Sequence, residues 1–154
     1  MKTIAFALFF AALVTAALAS AQEPPTANPA LATIALTLMS HGRSHAYRVE
    51  VARTPLEQAR GLMIRRSLAR GHGMIFPMAP PREASFWMEG TVMPLDLIFI
   101  APDHHVRRIA PNAVPFDRTE IPSQGIVAAV LELKAGEAAR IGLRPGDAVG
   151  YTLD

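Results

Sequence analysis

The side chains best suited to chemistry are gathered in the middle of the chain. Trp87 is followed by Glu89 and Thr91, and Asp96 comes a few positions later. A large aromatic side chain with a few polar groups, placed beside a long loop, is a common lining of small-molecule pockets. We therefore predict a ligand-binding groove bounded by these four residues and by a loop over 111–125.

Asp96 needs a partner because it stands in an apolar run. Leu95 precedes it and Leu97 follows it, and an ionised carboxylate is costly to bury unless it is paired or hydrogen-bonded. Arg60 is the candidate partner, since a guanidinium can hold a carboxylate through two parallel hydrogen bonds. Such a fork would fix a short helix carrying Arg60 onto the sheet. The alternative is that Arg60 and Asp96 together contact the ligand.

An enzymatic use of these acids is a second hypothesis. Asp96 or Glu89 could serve as the acid or base of a hydrolase in the cell envelope, because positioned carboxyl groups transfer protons in many enzymes. A serine nucleophile has little support, since the sequence has no Gly-x-Ser-x-Gly motif. The sequence therefore favours a binding module over an enzyme, predicts no cofactor, and leaves the catalytic residues unassigned.

A cluster of methionines raises the question of a copper site, because soft thioethers bind Cu(I). The cluster consists of Met63, Met74, Met78, Met88 and Met93. His72, His104 and His105 could add nitrogen ligands. The methionines do not follow a Met-x-x-Met repeat, and they lie beside Phe, Ile and Trp, where methionine commonly fills gaps in a core. We predict core packing and no metal site, with a copper-binding protein as the weaker alternative.

The composition narrows the classes of protein that fit. The chain has 154 residues, a formal net charge of +2 and no cysteine. This length fits one domain, and the lack of cysteine excludes disulfides, thiolate zinc sites and a cysteine nucleophile. So small a net charge gives no basic footprint for nucleic acid. We predict a monomer whose partner is a small ligand or another protein of the cell envelope.

The first residues have the composition of a secretory signal peptide. A lysine at the second position precedes an apolar run over 4–19, and Ala19-Ser20-Ala21 offers the small residues that signal peptidase requires. The predicted segments are a signal peptide over 1–21, a flexible linker over 22–30 and a single domain over 31–154. The protein is then periplasmic or secreted. An uncleaved membrane anchor is the alternative, although the run is short for a hydrocarbon layer of about 30 Å.

Hydrophobic periodicity predicts the elements that must position these side chains. Alternation over 34–38 and 47–51 indicates an opening hairpin. Thr54 as the N-cap, Pro55 at the first helical position and Glu57 in a capping box predict a helix from 55 to about 63. Later patterns predict further strands at 74–76, 84–88, 95–100, 106–109, 126–133 and 148–153, and a second helix at 137–141. The predicted fold is α+β and strand-rich, with an antiparallel or mixed, barrel-like sheet and two short helices.

Several short motifs occur in a fixed order along this body. They are Arg60-Gly61-Leu62-Met63, Gly73-Met74, Phe86-Trp87-Met88, Pro94-Leu95-Asp96, Val130-Leu131-Glu132-Leu133 and Gly146-Asp147. The series resembles the domain of unknown function 192 family over about 49–150. The resemblance implies a compact, strand-rich, barrel-like α+β domain that is often exported and has no established activity. Members commonly carry a basic residue and an asparagine after Phe-Trp-Met, where this chain has Glu89 and Gly90, so no role tied to that pair is transferred.

Overall fold

The computed structural model describes residues 27–153, so the predicted signal peptide and most of the predicted linker lie outside the described residues. The strands are β1 (Thr33–Ser40), β2 (Arg43–Val51), β3 (His72–Arg82), β4 (Ser85–Phe86), β5 (Leu95–Ile100), β6 (Val106–Ala113), β7 (Ile121–Pro122), β8 (Val127–Lys134) and β9 (Val149–Tyr151). The helices are α1 (Pro55–Arg60) and α2 (Glu137–Ile141). The strand-rich α+β class with two short helices is therefore confirmed.

Seven of these strands form one mixed sheet in the order β6-β5-β8-β3-β2-β1-β9. All neighbouring pairs are antiparallel except β2 and β3. That pair is parallel because the connection over 52–71, which includes α1, returns the chain to the end of the sheet where β2 begins. One isolated bridge joins His105 to Ala148. A single bridge is not a ladder, so the sheet is not a closed barrel and the predicted barrel-like shape is not confirmed.

The central strands are buried on both faces, because successive side chains of a strand point to opposite sides. The first core includes Leu36, Val49, Ile98, Leu131 and Ile141. The second core includes Leu62, Phe76, Leu97, Phe99 and Val130. Four of the clustered methionines, Met74, Met78, Met88 and Met93, are buried in the second core. Their predicted role in packing is confirmed.

Helix α1 begins as predicted and ends earlier. The Thr54 side chain accepts a hydrogen bond from the backbone N–H of Glu57, whose carboxylate accepts from the Thr54 N–H, so the capping box is complete. The helix stops at Arg60 because Gly61 has a φ of 45°, which other residues rarely adopt. A Cβ at Gly61 would also lie 3.3 Å from the Phe76 ring. The predicted extension to 63 is therefore replaced by a tight turn that packs against β3.

The predicted loop over 111–125 is partly regular structure. Strand β6 continues to Ala113, and β7 pairs with β4 through Ser85–Pro122 and Phe86–Ile121. The proline and glycine content of this segment suggested a free loop, but β4 offers a short antiparallel partner that is distant in sequence. Residues 114–120 remain as the connection between β6 and β7.

The folded body begins before the predicted boundary. Asn28 lies within the predicted flexible linker, yet it is buried. Its side-chain amide donates hydrogen bonds to the carbonyl oxygens of Glu57, at 2.9 Å, and Gly61, at 3.0 Å. The Glu57 carbonyl also accepts from the Gly61 N–H at the end of α1, and Gly61 directly follows the helix. The contact anchors the start of the described chain to α1. No helix within residues 27–153 is long and apolar enough to span a bilayer.

Candidate functional site

A cavity of about 490 Å³ lies between α1 and the small β4–β7 sheet. This volume falls within the range of about 300–1,000 Å³ that is typical of small-molecule sites. Apolar side chains form much of the wall, namely Leu62, Met63, Phe76, Met78, Phe86 and Trp87. The cavity therefore opens onto the second core.

The aromatic part of the wall is held by edge-to-face contacts. The Phe86 ring lies 5.2 Å from that of Phe76 and 6.3 Å from that of Phe99, with the rings nearly perpendicular in both pairs. Such pairs are the preferred arrangement of aromatic quadrupoles. They link the small sheet, which carries Phe86, to β3 and β5. Pairing of β4 with β7 thus fixes one side of the cavity against the main sheet.

Glu132 is the most unusual residue of the cavity lining. It lies in β8, opposite Met74 of β3 and Leu97 of β5, and only 5% of its surface is exposed. Burial raises the pKa of its carboxyl group to about 8, and no hydrogen bond or charge from the described residues opposes that effect. An acid of this kind is rarely left without a partner in a core. Its position on the cavity wall leaves it available to a ligand.

Charged side chains surround the opening of the cavity. Arg60, Arg82, Glu83, Glu89 and Glu120 line it together with Glu132. Glu89 is already engaged, since it accepts a hydrogen bond of 2.6 Å from the Arg118 guanidinium. The surroundings are therefore polar and solvated at the opening, whereas Glu132 faces apolar neighbours.

Four of the five predicted site residues line this one cavity. They are Arg60, Trp87, Glu89 and Thr91. Trp87 is 52% exposed, so its indole is only partly packed. Gly90, which stands where the family commonly has asparagine, has a φ of 70°, a conformation that glycine and asparagine both tolerate. The Phe86–Thr91 segment thus contributes to the cavity, as the spacing of its polar and aromatic residues suggested.

Asp96 is the exception, and the predicted fork with Arg60 is wrong. Asp96 is fully buried and accepts hydrogen bonds from the backbone N–H groups of Asn112, at 2.9 Å, Gly136, at 3.1 Å, and Ala138, at 2.8 Å. The ion pairs found among residues 27–153 do not include Arg60 with Asp96.

The requirement for a partner was correct, but backbone donors meet it instead of a guanidinium. The carboxylate holds the start of α2 and the end of β6 against β5. Asp96 does not line the cavity, so the structure does not bring it together with Glu89 as an acid–base pair.

Glu132 was missed as a site residue although the sequence carries a signal for it. It is the one acid in the run from Val127 to Leu133, which is otherwise apolar. The desolvation argument that singled out Asp96 applies to it equally. Within residues 27–153, no group of three or more His, Cys, Asp and Glu side chains is placed to hold a metal ion.

Fold and site together define a small strand-rich α+β domain with a lateral cavity that encloses a buried acid. The chain belongs to the DUF192 family, described as an uncharacterized ACR, whose model matches residues 36–151. This confirms the resemblance seen in the motifs. No curated protein matches the chain.

Two solved structures are similar over most of the chain. A protein of unknown function from Novosphingobium aromaticivorans is 46% identical, with a TM-score of 0.77, and the match covers 82% of this chain and 92% of that one. A protein from Sinorhizobium meliloti, described provisionally as a transcription regulator, is 41% identical, with a TM-score of 0.78 and coverage of 80% and 97%.

Proposed function

We propose that the protein is an exported, non-enzymatic module that binds a small molecule in the cavity between α1 and the β4–β7 sheet. One observation carries the proposal: Glu132 is buried in the cavity wall without a partner among the described residues. An unpaired buried acid lowers stability. Its presence in the wall of this open cavity is explained if a ligand supplies the missing contact.

The arrangement of polar groups favours binding over catalysis. General acid–base chemistry needs groups within hydrogen-bond reach of one another or of a shared substrate atom. Asp96 is fully engaged by backbone amides, and Glu89 is paired with Arg118. The original hydrolase hypothesis, which used Asp96 or Glu89, therefore loses support.

A hydrolase that uses Glu132 as its general acid is the second candidate. The observation that favours it is the pKa of about 8, which keeps the carboxyl group protonated at neutral pH. Turnover of a bound compound by the wild-type protein, and its loss in Glu132→Gln, would support this candidate. Binding without turnover would support the module.

The binding proposal is tested with a fragment set of cationic, neutral and anionic aromatic compounds. Ligand-observed NMR detects contact, and competition among hits shows whether they share one site. We expect hits that also perturb the signals of Phe86 and Trp87 in protein-observed spectra. The control is a Phe86→Ala variant, which removes part of the cavity wall and should weaken the hits. Absence of any hit that depends on this wall would refute the proposal.

Export is supported by the composition of residues 1–21. The mass of the protein recovered from the cell envelope tests it, since cleavage removes that segment and an uncleaved anchor keeps it. Recovery from the cytoplasm with Met1 intact would refute export.

A further inference from the structure

We propose that the ligand is an amphipathic amine whose ammonium group pairs with the Glu132 carboxylate while its apolar body rests on the aromatic wall. This inference rests on the proposed binding function and adds the chemical class of the ligand. It follows from the charge balance of the cavity, from the chemistry of its wall and from the state of Glu132.

The charge balance favours a cation. Four glutamates line the cavity, and two arginines oppose them: Glu83, Glu89, Glu120 and Glu132 against Arg60 and Arg82. Arg118 reduces the excess because it pairs with Glu89 at 2.6 Å. With Glu132 ionised, as an ion pair requires, Glu83, Glu120 and Glu132 then face two arginines, and the most buried of these three acids is Glu132. An anionic ligand cannot form an ion pair with the Glu132 carboxylate, and once that group ionises above about pH 8 it would place a like charge beside it.

The wall suits an ammonium with an apolar substituent. Phe76, Phe86 and Trp87 provide aromatic surface, and the face of an aromatic ring attracts a cation. Leu62 and Met78 add aliphatic and thioether surface for the rest of the molecule. An ammonium group has three N–H donors and can donate to both carboxylate oxygens of Glu132.

Binding of an ammonium must be linked to release of a proton. In the free protein Glu132 keeps its proton up to about pH 8, whereas an ion pair requires the carboxylate. Affinity should therefore rise by about tenfold per pH unit towards pH 8 and then level off. The other charged groups that line the cavity are Arg60 from α1, Arg82 from β3, and Glu83, Glu89 and Glu120 from the segments next to β4 and β7.

Calorimetric titration with three probes that share a 2-phenylethyl body and differ in their head group tests the inference. The probes are phenethylamine as the cation, phenethyl alcohol as the neutral form and hydrocinnamate as the anion. We expect phenethylamine to bind at least about tenfold more tightly than the alcohol. Below pH 8 its binding should also release a proton from Glu132, and titrations in buffers of different ionisation enthalpy detect that release. Glu132→Gln should lose this preference. Asp103→Asn removes one negative charge from the exposed β5–β6 turn and should keep it.

The outcomes separate the two proposals. If the alcohol or hydrocinnamate binds as tightly as phenethylamine, or if Glu132→Gln keeps the preference for the amine, the inference is wrong while the binding function stands. If none of the three probes binds, the amine class is refuted. If the fragment set also gives no hit at the cavity wall, the binding function fails with it.

Discussion

Replacing Glu132 by glutamine should change how stability depends on pH. The ordinary pKa of the carboxyl group is 4.5, and burial raises the folded-state pKa to about 8. Between these values the folded protein keeps a proton that the unfolded chain has lost, so the free energy of unfolding falls as pH rises. One pKa unit corresponds to about 1.4 kcal/mol. Wild type should lose roughly 3–4 kcal/mol from this group between about pH 5 and about pH 8.

Glutamine has nearly the same shape and does not titrate, so the variant should lack this loss. The difference between the two proteins isolates Glu132, because the other acids with perturbed pKa values contribute equally to both. Glu50 and Glu137 have lowered pKa values, and their contributions change only below about pH 4.5. We therefore expect Glu132→Gln to be more stable than wild type above pH 7 and close to it at pH 5.

Urea unfolding at several pH values measures this difference. The midpoint should move while the slope with urea stays constant, because the exposed surface on unfolding does not change. Asp103→Asn serves as the control and should follow the wild-type curve. Parallel pH profiles for wild type and Glu132→Gln would show that the carboxyl group is hydrated in the folded protein. The reasoning about its burial would then be refuted.

Three further substitutions test the rest of the structure. Asp96→Ala leaves the backbone N–H groups of Asn112, Gly136 and Ala138 without their acceptor. It should lower the free energy of unfolding by roughly 3–5 kcal/mol, as measured by urea unfolding. A loss below about 1 kcal/mol would contradict the anchoring role. Burial acts to raise the pKa of Glu50, but hydrogen bonds, the strongest of them from Arg65, lower it below the ordinary value. Arg65→Ala should therefore destabilise the protein by about 1–2 kcal/mol at neutral pH. Thermal melts should show that this loss of stability disappears in acid, where Glu50 is protonated. Thr54→Ala should cost about 1 kcal/mol through loss of the N-cap, whereas Thr54→Ser, which keeps the hydroxyl, should cost much less.

The features that the sequence could predict are those set by neighbouring residues. Thr54 and Glu57 form their capping box within one turn, so the pattern alone determined the start of α1. The opening hairpin depends on alternation in two adjacent segments, and β1 pairs with β2 over its full length. Helix α2 was predicted with its observed bounds because Gly142 ends it locally with a φ of 67°.

The features that the sequence could not predict depend on contacts between distant segments. Asp96 is bonded to amides that lie 16, 40 and 42 positions away. Backbone donors have no signature in the sequence, so a visible arginine was the natural candidate. Pairing of β7 with β4 likewise joins segments separated by residues 87–120. The aromatic and polar residues of Phe86–Thr91 that were chosen from the sequence do line the cavity.

The two buried acids of the central sheet differ in how the cost of their burial is met. Asp96 pairs with Leu133 across β5 and β8, and Leu97 pairs with Glu132 at the next position. The two acids therefore point to opposite faces of the sheet. Both are expensive to bury, but three backbone amides offset the cost for Asp96, and nothing in the described residues does so for Glu132. A leucine or glutamine at this position would not carry that cost, and the proposed ligand contact is what would offset it for the acid.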